Sequence, residues 1–358
     1  MAHISPLLLG LELSGTGAHP ASWRRPDSRA EELFGAHYWV DALRAAEDAG
    51  IDLAFLPDSF ALQPEGAIGR LDAVAVAARA AALTRRIGLI PQATVTHTEP
   101  FHLSKAIASL DFATHGRAGW EVAVSAGDAK LFGRKPEQDD RSRWAEADEA
   151  VEVVTRLWDS WEDDAEIRDQ ATGRFIDREK LHYIDFTGTH FAVQGPSITP
   201  RPPQGQPLVT VRAADPHSIR LAVHRADLIR ITAPSLEAAA ATRSELRAAV
   251  AATGRDPQRV RVLLDVDIHL AGTADAAAAD VAQLEDWIAT GAPRTVFHIG
   301  TAAELRTVLR EVETACAADG VVLRPLALAA TLPYLPALIP TLRDRLGLPR
   351  PANRYAHA

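Results

Sequence analysis

The sequence predicts a (β/α)8 TIM barrel, and three observations carry that prediction. Short apolar runs alternate with amphipathic helical stretches about eight times along the chain. Residues 94–125, TVTHTEPFHLSKAIASLDFATHGRAGWEVAVS, compress a strand end, a helix and the next strand into one right-handed βαβ unit with parallel strands. No G-x-G-x-x-G follows the first strand, so a closed barrel fits better than an open doubly wound sheet.

Each element has its own signal. PLLLGLELS at 6–14 reads as the first strand, and GTGAHPASWRRPDS as the loop after it. An amphipathic helix at 36–49 leads to a strand at 51–56 that stops at Pro57-Asp58-Ser59. A helix at 71–84 and a strand at 86–95 follow. The next helix has Thr98 as its expected N-cap, Pro100 in its first turn and Gly116 as its C′ stop. Phe101, Leu103, Ile107 and Leu110 form its apolar stripe, and 118–124 is the strand that follows.

Trp144, Ala147, Val151, Val154 and Trp158 share one face of a helix at 142–158. Residues 159–206, with an acidic run and the tract GPSITPRPPQGQP, break the rhythm and read as an insertion packed over one end of the barrel. Alternation resumes with strands at 207–211, 226–231, 260–270 and 320–323. Helices at 215–224, 234–253, 273–290, 301–317 and 334–346 complete the count. Residues 1–358 are therefore read as one barrel domain with an insertion at about 159–206.

Composition narrows the function classes. Hydrophobic residues make up 47% of 358, ample for a large core, and the formal charge is −9. No Lys/Arg cluster stands out, which argues against nucleic acid or an anionic membrane as partner. The single cysteine, Cys316, excludes an internal disulfide framework and is read as buried filler in an Ala-rich helix. With no cationic leader and no stretch of 18 uninterrupted apolar residues, a soluble cytoplasmic protein is the expectation. The histidines lack metal-ligand spacing, and no Walker loop, H-E-x-x-H, G-x-S-x-G or C-x-x-C occurs.

Several stretches together resemble one family. GAHPASWRRPDS, YWVDALRAAEDAGIDLAFLPDS, TRRIGLIPQATVTHTEPFHLSKAIASLDFATHGRAGWEV and LWDSWEDD are similar to the bacterial luciferase-like flavin monooxygenases, in the nitrilotriacetate and dibenzothiophene-sulfone monooxygenase branch. The resemblance is close over roughly residues 5–232 and holds in outline beyond. It implies a two-component monooxygenase that binds reduced FMN at the C-terminal face of the barrel. A separate flavin reductase would supply that flavin by diffusion. Oxygen would add at the flavin C4a, and the peroxyflavin would oxygenate a small organic substrate. Dimers or tetramers are usual for such proteins. Chemistry of this kind belongs mostly to the cofactor, so no catalytic triad is needed.

The resemblance also assigns residues, each with a plainer reading beside it. Asp58 matches a flavin-contacting carboxylate, or caps a helix. Thr96 matches a hydroxyl near the flavin, or caps the helix after it. Ser125 is the surviving half of a Thr-Ser pair beside the ring, since Val124 precedes it. His19 matches a loop histidine able to donate a proton to peroxyflavin or substrate, or is an exposed loop residue. His97 stands where an aromatic residue is common and could line the pocket. Glu121 replaces an expected Asn. Pointing inward, it would gain proton affinity from burial and act as a catalytic acid or base; pointing outward, it would pair with a helix cation.

The phosphate end departs from the pattern. Asp140 and Trp144 replace a His and a Tyr at the start of one helix. Trp144 can still donate one hydrogen bond to the cofactor, or simply pack. After the fifth strand, Val211-Arg-Ala-Ala-Asp-Pro-His-Ser218 replaces a Gly- and Ser-containing phosphate turn. Asp215 before Pro216 is a self-sufficient N-cap, and its carboxylate competes with phosphate at about 4 kcal/mol per like-charge pair at 4 Å. Arg212 could offset that by reaching the phosphate. Two alternatives stay open: an oxidoreductase of the same fold using the deazaflavin F420, and a degenerate barrel that binds a ligand without redox chemistry.

Overall fold

The computed structural model describes residues 7–338 and 353–355. Eight parallel strands form its barrel: β1 (Leu8–Glu12), β2 (Leu53–Leu56), β3 (Gly88–Thr94), β4 (Gly119–Ala123), β5 (Leu208–Arg212), β6 (Leu228–Ile231), β7 (Arg261–Leu270) and β8 (Gly320–Pro325). They pair in ring order, β8 with β1 and β6 with β7, so the sheet closes without an edge. Among the described residues eight helices of nine or more residues lie between them, the last two both between β7 and β8: α1 (Ala36–Asp48), α2 (Ala73–Ala81), α3 (Pro100–Thr114), α4 (Asp140–Asp159), α5 (Pro216–Arg225), α6 (Leu236–Ala252), α7 (Ala274–Trp287) and α8 (Ala302–Thr314). The expected barrel is therefore the observed one.

Differences are local. The strand Phe297–Gly300, absent from the sequence reading, pairs only with the outer end of β7 and leaves Phe297 exposed. α3 has Glu99, not Thr98, at its N-cap. Its left-handed stop begins at His115, with φ 54°, one residue before Gly116. Cys316 lies beyond the end of α8 and is exposed, so it is not core filler. A 3-10 turn occupies Leu332–Ala337, and most of the helix expected at 334–346 falls outside the described residues.

The segment 159–206 forms two small antiparallel hairpins, Glu166–Asp169 with Arg174–Ile176 and Phe186–Thr187 with Ala192–Val193. Ile184, Phe186 and Phe191 pack on Val153 and Leu157 of α4 and on Phe101 of α3. The insertion thus covers the outer helical layer. It was expected to pack over one end of the barrel, yet it contributes no residue to the cavity at the barrel mouth.

The barrel interior has two layers. Leu53, Phe55, Ile90, Leu228, Leu263 and Val322 fill the lower one. Gly10 lacks the Cβ that would come within 2.8 Å of the Phe55 ring, which is how that ring fits inside. One strand period above, the inward positions are Glu12, Gln92, Glu121, Arg212, Arg230, Asp265 and Arg324. An apolar plug thus carries a charged floor, and that floor faces the carboxyl ends of the strands.

Candidate functional site at the barrel mouth

Arg230 is the centre of the charged floor. Its side chain is fully buried and donates to Glu12 at 2.7 Å, to Glu121 at 2.7 Å and to both oxygens of Asp265 at 2.9 Å. Its guanidinium also lies 4.5 Å from the Phe55 ring centroid. Arg212 joins Glu12 at 2.7 Å and Asp265 at 3.1 Å, while Arg324 joins Glu12 at 3.2 Å and Asp267 at 3.1 Å. Burial opposes the charge on Glu12, but three guanidinium groups outweigh it and hold its carboxyl well below the usual range. For Asp265 and Asp267 burial wins, and both carboxyls are pushed up.

This arrangement corrects two expectations. Glu121 does point inward and is buried, but one oxygen accepts from Arg230 at 2.7 Å and the other lies 3.7 Å from Arg212. A carboxylate held between guanidinium groups is an ion-pair partner, not a free acid or base. Arg212 likewise turns into the barrel, where three carboxylates hold it, and not toward the start of α5. The floor itself was missed. Its signal is a charged residue inside six of the eight apolar strands, as with Asp265 and Asp267 alternating with Leu264, Val266 and Ile268.

Asp58, Thr96 and Ser125 do come together at one rim, because β2, β3 and β4 are neighbours. The Asp58 carboxylate accepts from the backbone N–H groups of Ser59 at 2.7 Å and Ala73 at 2.9 Å, tying the loop to the start of α2. Burial pushes this carboxyl up. Gln92 donates to the Asp58 carbonyl at 2.6 Å. Thr96 Oγ1 accepts from the Ser125 backbone N–H at 3.0 Å, and the Ser125 hydroxyl donates to Asp128.

His97 completes this corner. Its φ of 67° is left-handed, and its ring stacks on Phe132 with centroids 4.6 Å apart. Nε2 lies 3.5 Å from Asp128 Oδ1, and neither ring nitrogen nor that oxygen has a hydrogen-bond partner. Buried polar atoms left unpaired beside a strained residue are the kind of wall a polar ligand completes.

At the Asp58 end of this rim a cavity of about 450 Å³ opens between the loops after β1 and β2, reaching Leu56, Pro57 and Ala73 but lined by none of Asp58, Thr96 and Ser125. Leu13, Leu33, Trp39, Leu56 and Val76 make it largely apolar, with Arg324 at its base. His19 lines it and is not the exposed loop residue of its plainer reading. Its ring is buried, Nδ1 accepts from the Ala21 backbone at 3.1 Å, and Nε2 faces Glu285 at 3.2 Å. Burial lowers its basicity more than Glu285 restores it.

The turn at the start of α5, expected to meet the phosphate, is capped by its own side chains. Asp215 caps α5, and Ser218 at the third helical position completes a capping box. Trp144 was expected at the cofactor. It packs against the outer core, in a groove of about 340 Å³ between α4 and α5 lined also by Arg141, His217 and Arg220. Asp140 is held by Arg143. Among the described residues no group of acidic, His or Cys side chains could hold a metal ion, and no helix is long and apolar enough to cross a membrane.

Comparisons with known proteins agree with this architecture. The family profile described as "Luciferase-like monooxygenase" matches residues 16–318. The chain is 35% identical to N-acetyl-S-(2-succino)cysteine monooxygenase of Bacillus subtilis (strain 168) over 285 residues, 78% of this chain and 65% of that protein. It is 34% identical to nitrilotriacetate monooxygenase component A of Aminobacter aminovorans over 283 residues, 74% and 62% of the two chains. It therefore spans less than two thirds of the length of these relatives. The solved EDTA monooxygenase from Chelativorans sp. BNC1 superposes with a TM-score of 0.83 at 24% identity, covering 97% of this chain and 99% of that one, and shows the shared fold.

Proposed function

Because this chain belongs to the luciferase-like monooxygenase family, we propose that it is a flavin-dependent monooxygenase inserting one oxygen atom into a small organic substrate. The flavin is reduced FMN, made by a separate reductase and received by diffusion in a reducing cytoplasm. The observation that carries this reading is the rim of Asp58, Thr96 and Ser125. These residues are distant in sequence yet stand just beyond the ends of three neighbouring strands, next to a cavity that begins at Leu56 and Pro57.

The ring end of the mouth fits a flavin; the α5 end does not fit its phosphate. Reduced flavin, when bound, supplies the activation of dioxygen that no side chain here can provide. Asp58, Gln92 and the Thr96–Ser125 pair offer donors and acceptors to a polar ring edge. The unpaired nitrogens of His97 and Oδ1 of Asp128 offer a place to hold or pass a proton. Leu13, Leu33, Trp39 and Val76 orient an apolar substrate and exclude water. A cavity of this size suits a small organic molecule.

The test is oxygen incorporation. With NADH, FMN, a free flavin reductase and ¹⁸O2, a panel of thioethers, sulfones and tertiary amines should yield at least one product carrying a single ¹⁸O atom. Absence of product together with absence of flavin binding rejects the proposal. It would favour a barrel that binds a ligand without redox chemistry, the reading to which the capped α5 lends weight.

A further inference from the structure

A helix start can hold an anion only with free backbone N–H groups. At α5 all of them are accounted for. The N–H groups of Ala214 and Asp215 donate to Ser218 Oγ at 3.0 and 2.9 Å. Pro216 has none. His217 and Ser218 donate to Asp215 Oδ1 at 2.8 and 3.1 Å, and Ile219 donates to the Asp215 carbonyl at 2.9 Å. The Ala213 N–H is spent on the Arg230 carbonyl in the barrel ladder at 2.8 Å. The Ser218 hydroxyl, the remaining donor of the turn, contacts Asp215 Oδ2 at 2.8 Å.

The electrostatics agree with this count. Partial burial works against the charge on Asp215, but the Ser218 and His217 donors outweigh it, and the carboxyl sits below its usual range. An arriving phosphate meets a fixed negative charge already occupying its seat. Arg212, the cation nearest along the chain, is committed to Glu12 and Asp265 inside the barrel.

From this closed turn we infer that the protein does not recognise the flavin through its phosphate: the isoalloxazine and ribityl portion is the ligand, and riboflavin binds as well as FMN. Asp215 is the residue that sets this indifference. The inference rests on the flavin reading above and concerns only the tail.

Anaerobic fluorescence titration with FMN and riboflavin, oxidised and dithionite-reduced, tests it on the wild-type protein and on Asp215→Gly. Glycine at the N-cap costs little helix stability, so the variant should fold. The wild type should bind the two flavins with Kd values within about threefold of each other, and Asp215→Gly should favour FMN by about tenfold or more. Tighter FMN binding by the wild type, by about tenfold, overturns the inference and leaves the monooxygenase reading standing. An Asp215→Gly variant that stays indifferent overturns the assignment of cause to Asp215. If neither flavin binds the wild type, the functional proposal falls and takes this inference with it.

Discussion

Replacing Arg230 by methionine probes the charged floor directly. The substitution keeps most of the side-chain length but removes hydrogen bonds to Glu12, Glu121 and Asp265, all buried. Breaking a buried pair by deleting one partner costs about 3–5 kcal/mol, because the other charge is left uncompensated. Arg212 and Arg324 still neutralise Glu12, and Arg212 still reaches Asp265, so the lower end of that range applies. At roughly 2 °C per kcal/mol for a chain of this size, the midpoint should fall by about 6 °C or more.

The loss carries a pH signature. In the wild type the Glu12 carboxyl is held far below its usual range. It therefore contributes stability at any pH above its unfolded value and loses that contribution only as pH falls through the folded value. Without Arg230 that contribution shrinks, and the upward push of burial on Asp265 meets less opposition. Protonation would then relieve the variant, so its deficit should be largest near pH 8 and smaller at pH 5. Urea unfolding followed by the fluorescence of the seven tryptophans measures both. A second change, Asp265→Asn, should return part of the loss. A deficit below about 1 kcal/mol, or one equal at both pH values, would refute the ion-pair account.

Three further outcomes are expected. Gly17 has φ 149°, and a Cβ there would sit 2.2 Å from the Leu326 carbonyl, so Gly17→Ala should cost on the order of 1–3 kcal/mol; a neutral result by thermal scanning contradicts that contact. Burial holds the basicity of His19 and His269 below the usual imidazole range, so the folded protein takes up protons there less readily than the unfolded chain. Stability should therefore drop as pH falls through about 6.5, and His269→Gln should flatten that slope, as urea midpoints at pH 7.5 and 5.5 would report. His97→Phe keeps a ring against Phe132 and deletes two unpaired nitrogens, so stability should rise by about 1 kcal/mol while flavin affinity falls. Unchanged flavin affinity would remove His97 from the site.

What was legible in the sequence follows from how far each interaction reaches. Strands and helices show their periods within a few residues, and the Asp215-Pro216 cap is written in four consecutive positions, so the eight barrel strands and this cap read correctly. Phe297–Gly300 escaped because a short, half-exposed strand pairing with one strand end has no apolar pattern to show. Arg212 was misread for a different reason. Its partners arrive from β1, β4 and β7, and Glu12 lies 200 residues upstream, so nothing near Arg212 announces them. Cys316 was misread because helical composition continues past Thr314, where the backbone leaves the helix and Cys316 takes φ 49°.

Placed together, the mouth's charges explain why the two ends of a flavin would fare differently. Three guanidinium groups, Arg212, Arg230 and Arg324, face four carboxyls, Glu12, Glu121, Asp265 and Asp267, so every cation there is already matched. Asp215 adds another negative charge at the start of α5, and the chain as a whole carries −9. Inside the mouth such a field leaves an anionic tail no unmatched cation; Arg141, His217 and Arg220 lie apart, in the groove between α4 and α5. A neutral ring asks for no cation: it needs apolar walls and a few donors and acceptors, which the Asp58–Thr96–Ser125 rim and its neighbouring cavity provide. If the proposed flavin reading holds, selection in this barrel acts on the ring and on the substrate against it, and Arg212, the arginine expected at the phosphate, serves instead with Arg230 and Arg324 to let a carboxylate-rich floor stay buried.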